Sequence, residues 1–204
     1  MDSFLDYIKR VKGVRKILLA GAGGVGKTSL LTILSKSKSL VQLSEDSVDL
    51  TYSRTLYLNL ITVHASQLVK NYTKDGELIF YDLAGQLDQP LHALRDSTRS
   101  TMGAVDLVML VFDGSNLNSL FDLSTWIEII KESYPDNEQI PDFILIKNKI
   151  ELPSNIDGSL IDSFIESELK IIKYFELSAM RGEGMKGLQQ WLVEHFFTDE
   201  PGGF

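Results

Sequence analysis

The sequence predicts an α/β fold in which a mostly parallel sheet of six strands carries helices on both faces and has one antiparallel edge strand. Short apolar runs alternate along the chain with segments whose apolar residues recur at helical spacing. This alternation is typical of parallel strands joined by helices. With 204 residues, 44% of them hydrophobic, and no Pro/Gly/Ser-rich linker, the chain is expected to form one domain over 1–204.

The boundaries of the predicted elements come from turn residues and from one proline. Residues 71–76 supply turn chemistry between two strands of a predicted hairpin, and Pro135 stops a helix that has apolar residues at helical spacing. The predicted strands cover 15–20, 55–69, 77–82, 106–113, 143–147 and 171–177, and the predicted helices cover 2–12, 29–34, 117–134, 159–169 and 185–197. A polar loop is predicted over 35–53, and a loop followed by a helix over 85–101.

An amphipathic helix is predicted within residues 1–14, where Phe4, Leu5, Ile8 and Val11 fall on one face. A cap on the domain is the favoured role, and a membrane or partner contact is the alternative. The sequence has no cysteine to accept a prenyl or palmitoyl group, and its Met-Asp start does not fit the myristoylation signal. Without a signal peptide or a long apolar run, the protein is expected to be cytoplasmic, with peripheral membrane contact only through this helix.

Residues 21–28 fit the phosphate-binding pattern G-x-x-x-x-G-K-[ST] between a predicted strand and a predicted helix. Glycines let backbone N–H groups point at an anion, Lys27 can reach the β- and γ-phosphates, and the Thr28 hydroxyl can bind Mg²⁺. The helix N-terminus that follows also favours negative charge. The candidate nucleotide contacts in this phosphate loop are Gly21, Gly23, Gly24, Val25, Gly26, Lys27, Thr28 and Ser29. The chain is therefore expected to bind a nucleoside triphosphate.

A second motif, Asp-Leu-Ala-Gly-Gln over 82–86, follows a predicted strand. Ligands of such sheets bind beyond the carboxyl ends of the strands. Asp82 can hold Mg²⁺ directly or through water, Gly85 lets a backbone N–H approach the γ-phosphate, and Gln86 can orient an attacking water. A helix cap is the alternative role for Asp82, and the phosphate loop upstream favours the metal role.

Two further loops after predicted strands offer the groups that a planar base needs. A planar base needs a carboxylate to accept from its N–H groups, a lysine stem over its face and a backbone N–H for its carbonyl oxygen. The candidates in the first loop, over 148–151, are Asn148, Lys149 and Glu151, and those in the second are Ser178, Ala179 and Met180.

With these four motifs in this order, the chain resembles the Ras-like small GTPases, a family of P-loop NTPases, over 15–197. The resemblance implies that it binds GTP and GDP with Mg²⁺, hydrolyses GTP slowly and acts as a switch. It also implies effector, exchange-factor and GTPase-activating partners that contact about 37–60 and 83–102. Glu151 stands where the family has Asp, which adds a methylene at the base contact, and Met180 replaces the usual Lys.

The threonine that the family uses to bind Mg²⁺ in its first switch has three candidates, Thr51, Thr55 and Thr62. Residues 53–60 resemble a segment of the bacterial gliding-motility (Mgl-type) GTPases, and that resemblance selects Thr55. It also makes Arg54 a candidate arginine finger, with a solvated loop residue as the alternative. The implied catalytic residues are then Gln86, Arg54 and Lys27, and the implied metal ligands are Thr28, Thr55 and Asp82.

Two other functions stay open: a nucleotide-loaded interaction protein with negligible hydrolysis, and a P-loop kinase or NTPase with an altered base preference. The complete set of phosphate and metal residues disfavours the first, and the lack of lid arginines disfavours the second. A nucleic-acid partner is not expected, because the net charge is −8 and phosphate backbones are bound by clustered Lys and Arg.

Overall fold

The computed structural model of the chain describes residues 13–36, 58–73, 75–83, 105–134, 140–168 and 170–198. The strands in these ranges are β1 (Val14–Ala20), β2 (Leu58–His64), β3 (Glu77–Leu83), β4 (Leu107–Asp113), β5 (Asp142–Asn148) and β6 (Ile171–Glu176). The helices are α1 (Lys27–Lys36), α2 (Ala65–Leu68), α3 (Leu117–Glu132), α4 (Gly158–Ser167) and α5 (Met185–Phe197). Within the described ranges, no helix combines the length and apolar character needed to cross a bilayer.

The six described strands form one sheet in the order β2-β3-β1-β4-β5-β6. All pairs are parallel except β2 with β3, which is antiparallel and places β2 at one edge. The register sets Leu19 opposite Asp82, and Asp113 opposite Asn148. The predicted sheet is confirmed, and the carboxyl ends of five neighbouring strands, β3, β1, β4, β5 and β6, meet at one edge of it.

Successive residues of β1 pack into two different cores, because side chains of a strand alternate between the faces of a sheet. Ile17 and Leu19 lie in a cluster with buried residues of α1 and α5. Leu18 and Ala20 lie in a second cluster with buried residues of α3 and α4. Both faces of the sheet are therefore covered by helices, as the sequence predicted.

The prediction of a strand running to residue 69 is wrong beyond His64. The short helix α2 follows β2, and the Gln67 side chain accepts a hydrogen bond of 2.8 Å from the backbone N–H of His64. Ala65 and Leu68 are buried while the two residues between them are exposed, which is a helical pattern. The predicted elements over 2–12 and 85–101, and most of the loop over 35–53, lie outside the described residues.

Candidate nucleotide site

The phosphate loop leaves the end of β1 in a backbone conformation that needs glycine at two positions. Gly21 has φ of +143°, and a Cβ there would lie 2.1 Å from the carbonyl oxygen of Val111. Gly26 has φ of +100°, and a Cβ there would lie 2.3 Å from Nδ2 of Asn148. Larger residues would be strained at both positions, so the glycines let the loop pack directly on its neighbours.

Lys27, the first residue of α1, lies buried across this loop. Its Nζ donates hydrogen bonds to the carbonyl oxygens of Gly21 at 2.7 Å and Ala22 at 3.0 Å. Burial lowers the pKa of Lys27 to about 8, although the nearby charge of Asp82 acts in the opposite direction. An anion bound here would favour the charged form of the lysine.

Thr28 and Asp82 come together from α1 and β3, although they are 54 residues apart in the sequence. The Thr28 hydroxyl donates a hydrogen bond of 2.6 Å to Oδ2 of Asp82, whose side chain is fully buried. A hydroxyl and a carboxylate are the oxygen ligands that Mg²⁺ prefers, and they adjoin the loop that would hold the phosphates. The two residues therefore fit a Mg²⁺ site.

Asn148 connects the phosphate loop to the loop that follows β6. Its side chain is 2% exposed; Nδ2 donates to the carbonyl oxygen of Val25 at 2.9 Å, and Oδ1 accepts from the backbone N–H of Ala179 at 3.0 Å. Both contacts are long-range in sequence. A guanine carbonyl that reached the N–H of Ala179 would share it with Asn148.

Lys149 is paired with Asp113, a residue that the sequence motifs did not single out. The distance from Lys149 Nζ to Asp113 Oδ2 is 2.6 Å. Burial tends to raise the pKa of Asp113, but the hydrogen bonds from Lys149 and Ser115 outweigh it and lower the pKa overall. Asp113 ends an apolar strand, and that same signal selected Asp82.

The remaining base-site candidates lie near Asn148 in the loops after β5 and β6. One carboxylate oxygen of Glu151, Oε2, is buried and has no hydrogen-bond partner among the described residues. Ser178 and Ala179 are buried, and the Ser178 hydroxyl accepts from the backbone N–H of Arg181, which shapes the turn. Met180 is half-exposed. An orphaned carboxylate oxygen is an acceptor for a base N–H group.

Only some of the other predicted site residues lie in the described part of the chain. In the phosphate loop, Gly23 and Gly24 are exposed, Val25 is buried and Ser29 is half-buried. The remaining predicted site residues, Arg54, Thr55, Gly85 and Gln86, lie outside the described residues.

Comparison with known proteins gives matches that extend over most of the chain. The family model described as Ras of Complex, Roc, domain of DAPkinase matches residues 16–151. The Ras-related protein Rab7 of Cenchrus ciliaris is 27% identical over 203 residues, which cover 94% of this chain and 86% of that protein. The Ras-related protein Rab-32D of Dictyostelium discoideum is 30% identical over 183 residues, covering 88% and 72%. The intraflagellar transport protein 27 of Chlamydomonas reinhardtii is 25% identical over 165 residues, covering 80% and 74%.

Proposed function

Because the chain belongs to the Ras-like family of GTPases, we propose that it is a molecular switch that binds GTP and GDP with Mg²⁺ and hydrolyses GTP slowly. The observation that carries this proposal is the convergence of Lys27, Thr28 and Asp82 beside the phosphate loop. Asn148 links that loop to the second loop in which a base would lie. Phosphate, metal and base residues thus share one edge of the sheet.

In the proposed mechanism, the chain positions the triphosphate and compensates its charge. Backbone N–H groups of the phosphate loop and the Lys27 side chain bind the β- and γ-phosphates. Lys27 Nζ then exchanges its hydrogen bonds to the carbonyl oxygens of the loop for hydrogen bonds to phosphate oxygens. Thr28, Thr55 and Asp82 would hold Mg²⁺, with Asp82 bound to it directly or through water. When bound, this ion neutralises charge that develops on the phosphate oxygens. Gln86 orients the attacking water.

Arg54 has a proposed role that rests on the resemblance of 53–60 to the Mgl-type GTPases. It would act as a built-in arginine finger that stabilises charge on the transferred phosphoryl group. Such an arginine is typically worth about 10³–10⁵ in rate. The resemblance also supports Thr55 as the threonine of the first switch.

In the proposed base site, Glu151 accepts from the N–H groups of guanine and the Lys149 stem lies over the ring. Oε2 of Glu151 is buried and has no hydrogen-bond partner in the described part of the chain, which supports this role, because burying a polar group without a partner is costly unless a ligand satisfies it. Guanine preference would survive the longer side chain, since rejection of adenine depends on paired polar groups. Ser178, Ala179 and Met180 line the same site.

We propose that residues 1–204 form a single GTPase domain, since strands from Val14 to Glu176 share one sheet. Loss of the γ-phosphate would release the loops around Thr55 and Gly85. Effector, exchange-factor and GTPase-activating proteins would contact about 37–60 and 83–102. The proposed location is the cytoplasm, with peripheral membrane contact through residues 1–14.

A Gln86→Leu variant tests the hydrolytic part of the proposal. Without the amide that orients water, the single-turnover rate of GTP hydrolysis is expected to fall by about 10²-fold, while GDP affinity stays the same. Phosphate release is measured on protein preloaded with GTP, and exposed Gln190→Leu on α5 is the control. Unchanged hydrolysis in Gln86→Leu would remove that residue from the mechanism.

A further inference from the structure

A carboxylate at the end of β4 holds the lysine of the predicted base site. Asp113 Oδ2 lies 2.6 Å from Lys149 Nζ, and the two side chains are only 13% and 28% exposed. The other oxygen, Oδ1, accepts from the backbone N–H of Ser115 at 2.9 Å and from its hydroxyl at 2.6 Å. Because three donors fix this carboxylate, it is a rigid anchor for the lysine.

The backbone of Lys149 adopts a left-handed conformation. Its φ is +64°, and the only other non-glycine residue with positive φ in the described part of the chain is Asn71. A residue with a long side chain rarely adopts this left-handed backbone conformation, and backbone strain of this kind is concentrated at ligand sites. In this conformation the side chain of Lys149 reaches the turn after β4, where it pairs with Asp113.

The same turn also holds the neighbouring residue of the base site. The backbone N–H of Gly114 donates to the carbonyl oxygen of Asn148 at 2.7 Å. The side chain of Asn148 is itself hydrogen-bonded to the backbone of Val25 and Ala179. The turn over 113–115 therefore contacts two consecutive base-site residues, one through its backbone and one through a side chain.

We propose that Asp113 is a positioning residue for base recognition, which places the Lys149 side chain over the purine face before the nucleotide arrives. This inference rests on the proposed function, because it assumes that Lys149 contacts a guanine base. Asp113 would slow the dissociation of the nucleotide, because a preformed site avoids the entropy cost of ordering a flexible lysine on binding. It would leave the chemistry at the γ-phosphate unchanged.

A double-mutant cycle on the full chain tests the proposal through the dissociation rate of fluorescently labelled GDP. Asp113→Asn is expected to raise that rate about tenfold, because it loses a charge-assisted bond in a partly buried site. In a Lys149→Met background, Asp113→Asn should not raise the GDP dissociation rate any further. Asp113→Glu, which keeps the charge, should stay within about threefold of the wild type.

The control variant Ser115→Ala removes one donor to Asp113 but keeps the ion pair, so its GDP dissociation should remain close to that of the wild type. A purely structural role predicts the opposite pattern: Asp113→Asn adds to Lys149→Met, or Asp113→Glu loses as much as Asp113→Asn. Either result overturns the proposal. A wild-type protein that does not prefer GDP over ADP overturns the proposed function and this inference together, whereas selective binding with an additive cycle overturns this inference alone.

Discussion

Asn148 is expected to stabilise the protein even without nucleotide, because its side chain bridges two loops that are far apart in the sequence. Asn148→Ala leaves two buried backbone groups without their partner: the carbonyl of Val25, now bonded at 2.9 Å, and the N–H of Ala179, now bonded at 3.0 Å. Each unsatisfied buried group costs about 1–3 kcal/mol, and the emptied space adds a smaller term. The free energy of unfolding should therefore fall by about 2–6 kcal/mol.

Urea unfolding of the nucleotide-free protein measures this change as a lower midpoint with an unchanged slope. Exposed Asn155 provides the matched control, since Asn155→Ala removes the same side chain from a loop in contact with solvent. The control should stay within about 0.5 kcal/mol of the wild type. If Asn148→Ala is as stable as Asn155→Ala, the two hydrogen bonds of Asn148 do not stabilise the protein.

Two further predictions concern the phosphate loop. Because burial lowers the pKa of Lys27 to about 8 and bound phosphates favour its cation, nucleotide binding should take up a proton near pH 8 and weaken as the pH rises above 8. Calorimetry in buffers of different ionisation enthalpy measures the uptake, and equal uptake in Lys27→Met would contradict it. Gly26→Ala should destabilise the nucleotide-free protein by about 2–4 kcal/mol, because the added Cβ would clash with the Asn148 side chain and the backbone there has a positive φ. Gly187→Ala in α5, where a Cβ meets nothing within 4 Å, should raise the thermal midpoint instead.

The sheet and the phosphate loop could be predicted from sequence because their signals are local. Apolar runs mark the strands, and α5 begins at Met185 and ends at Phe197 as its helical spacing indicates. The end of β2 was predicted wrongly because α2 has only four residues, too few to show a helical period in the sequence. Ala65 and Leu68, at i and i+3, share one face of a helix but not of a strand, and both are buried in the fold.

The contacts that organise the site could not be predicted, because they join residues far apart in the chain. The motif over 148–151 identified Asn148 and Lys149 as base-site residues, but their partners Val25 and Asp113 lie 123 and 36 positions away. Asp113 carried the same strand-ending signal as Asp82. Without a known motif around it, that signal did not distinguish a positioning residue from a turn cap.

The proposed guanine-nucleotide switch is tested most directly by the binding of labelled GDP against ADP with Mg²⁺, followed by single-turnover phosphate release from GTP on the same sample. We expect tight binding that prefers GDP, with Glu151 serving in place of Asp, and slow phosphate release. Binding that is weak, or equal for GDP and ADP, would contradict the assigned base site and the switch that depends on it.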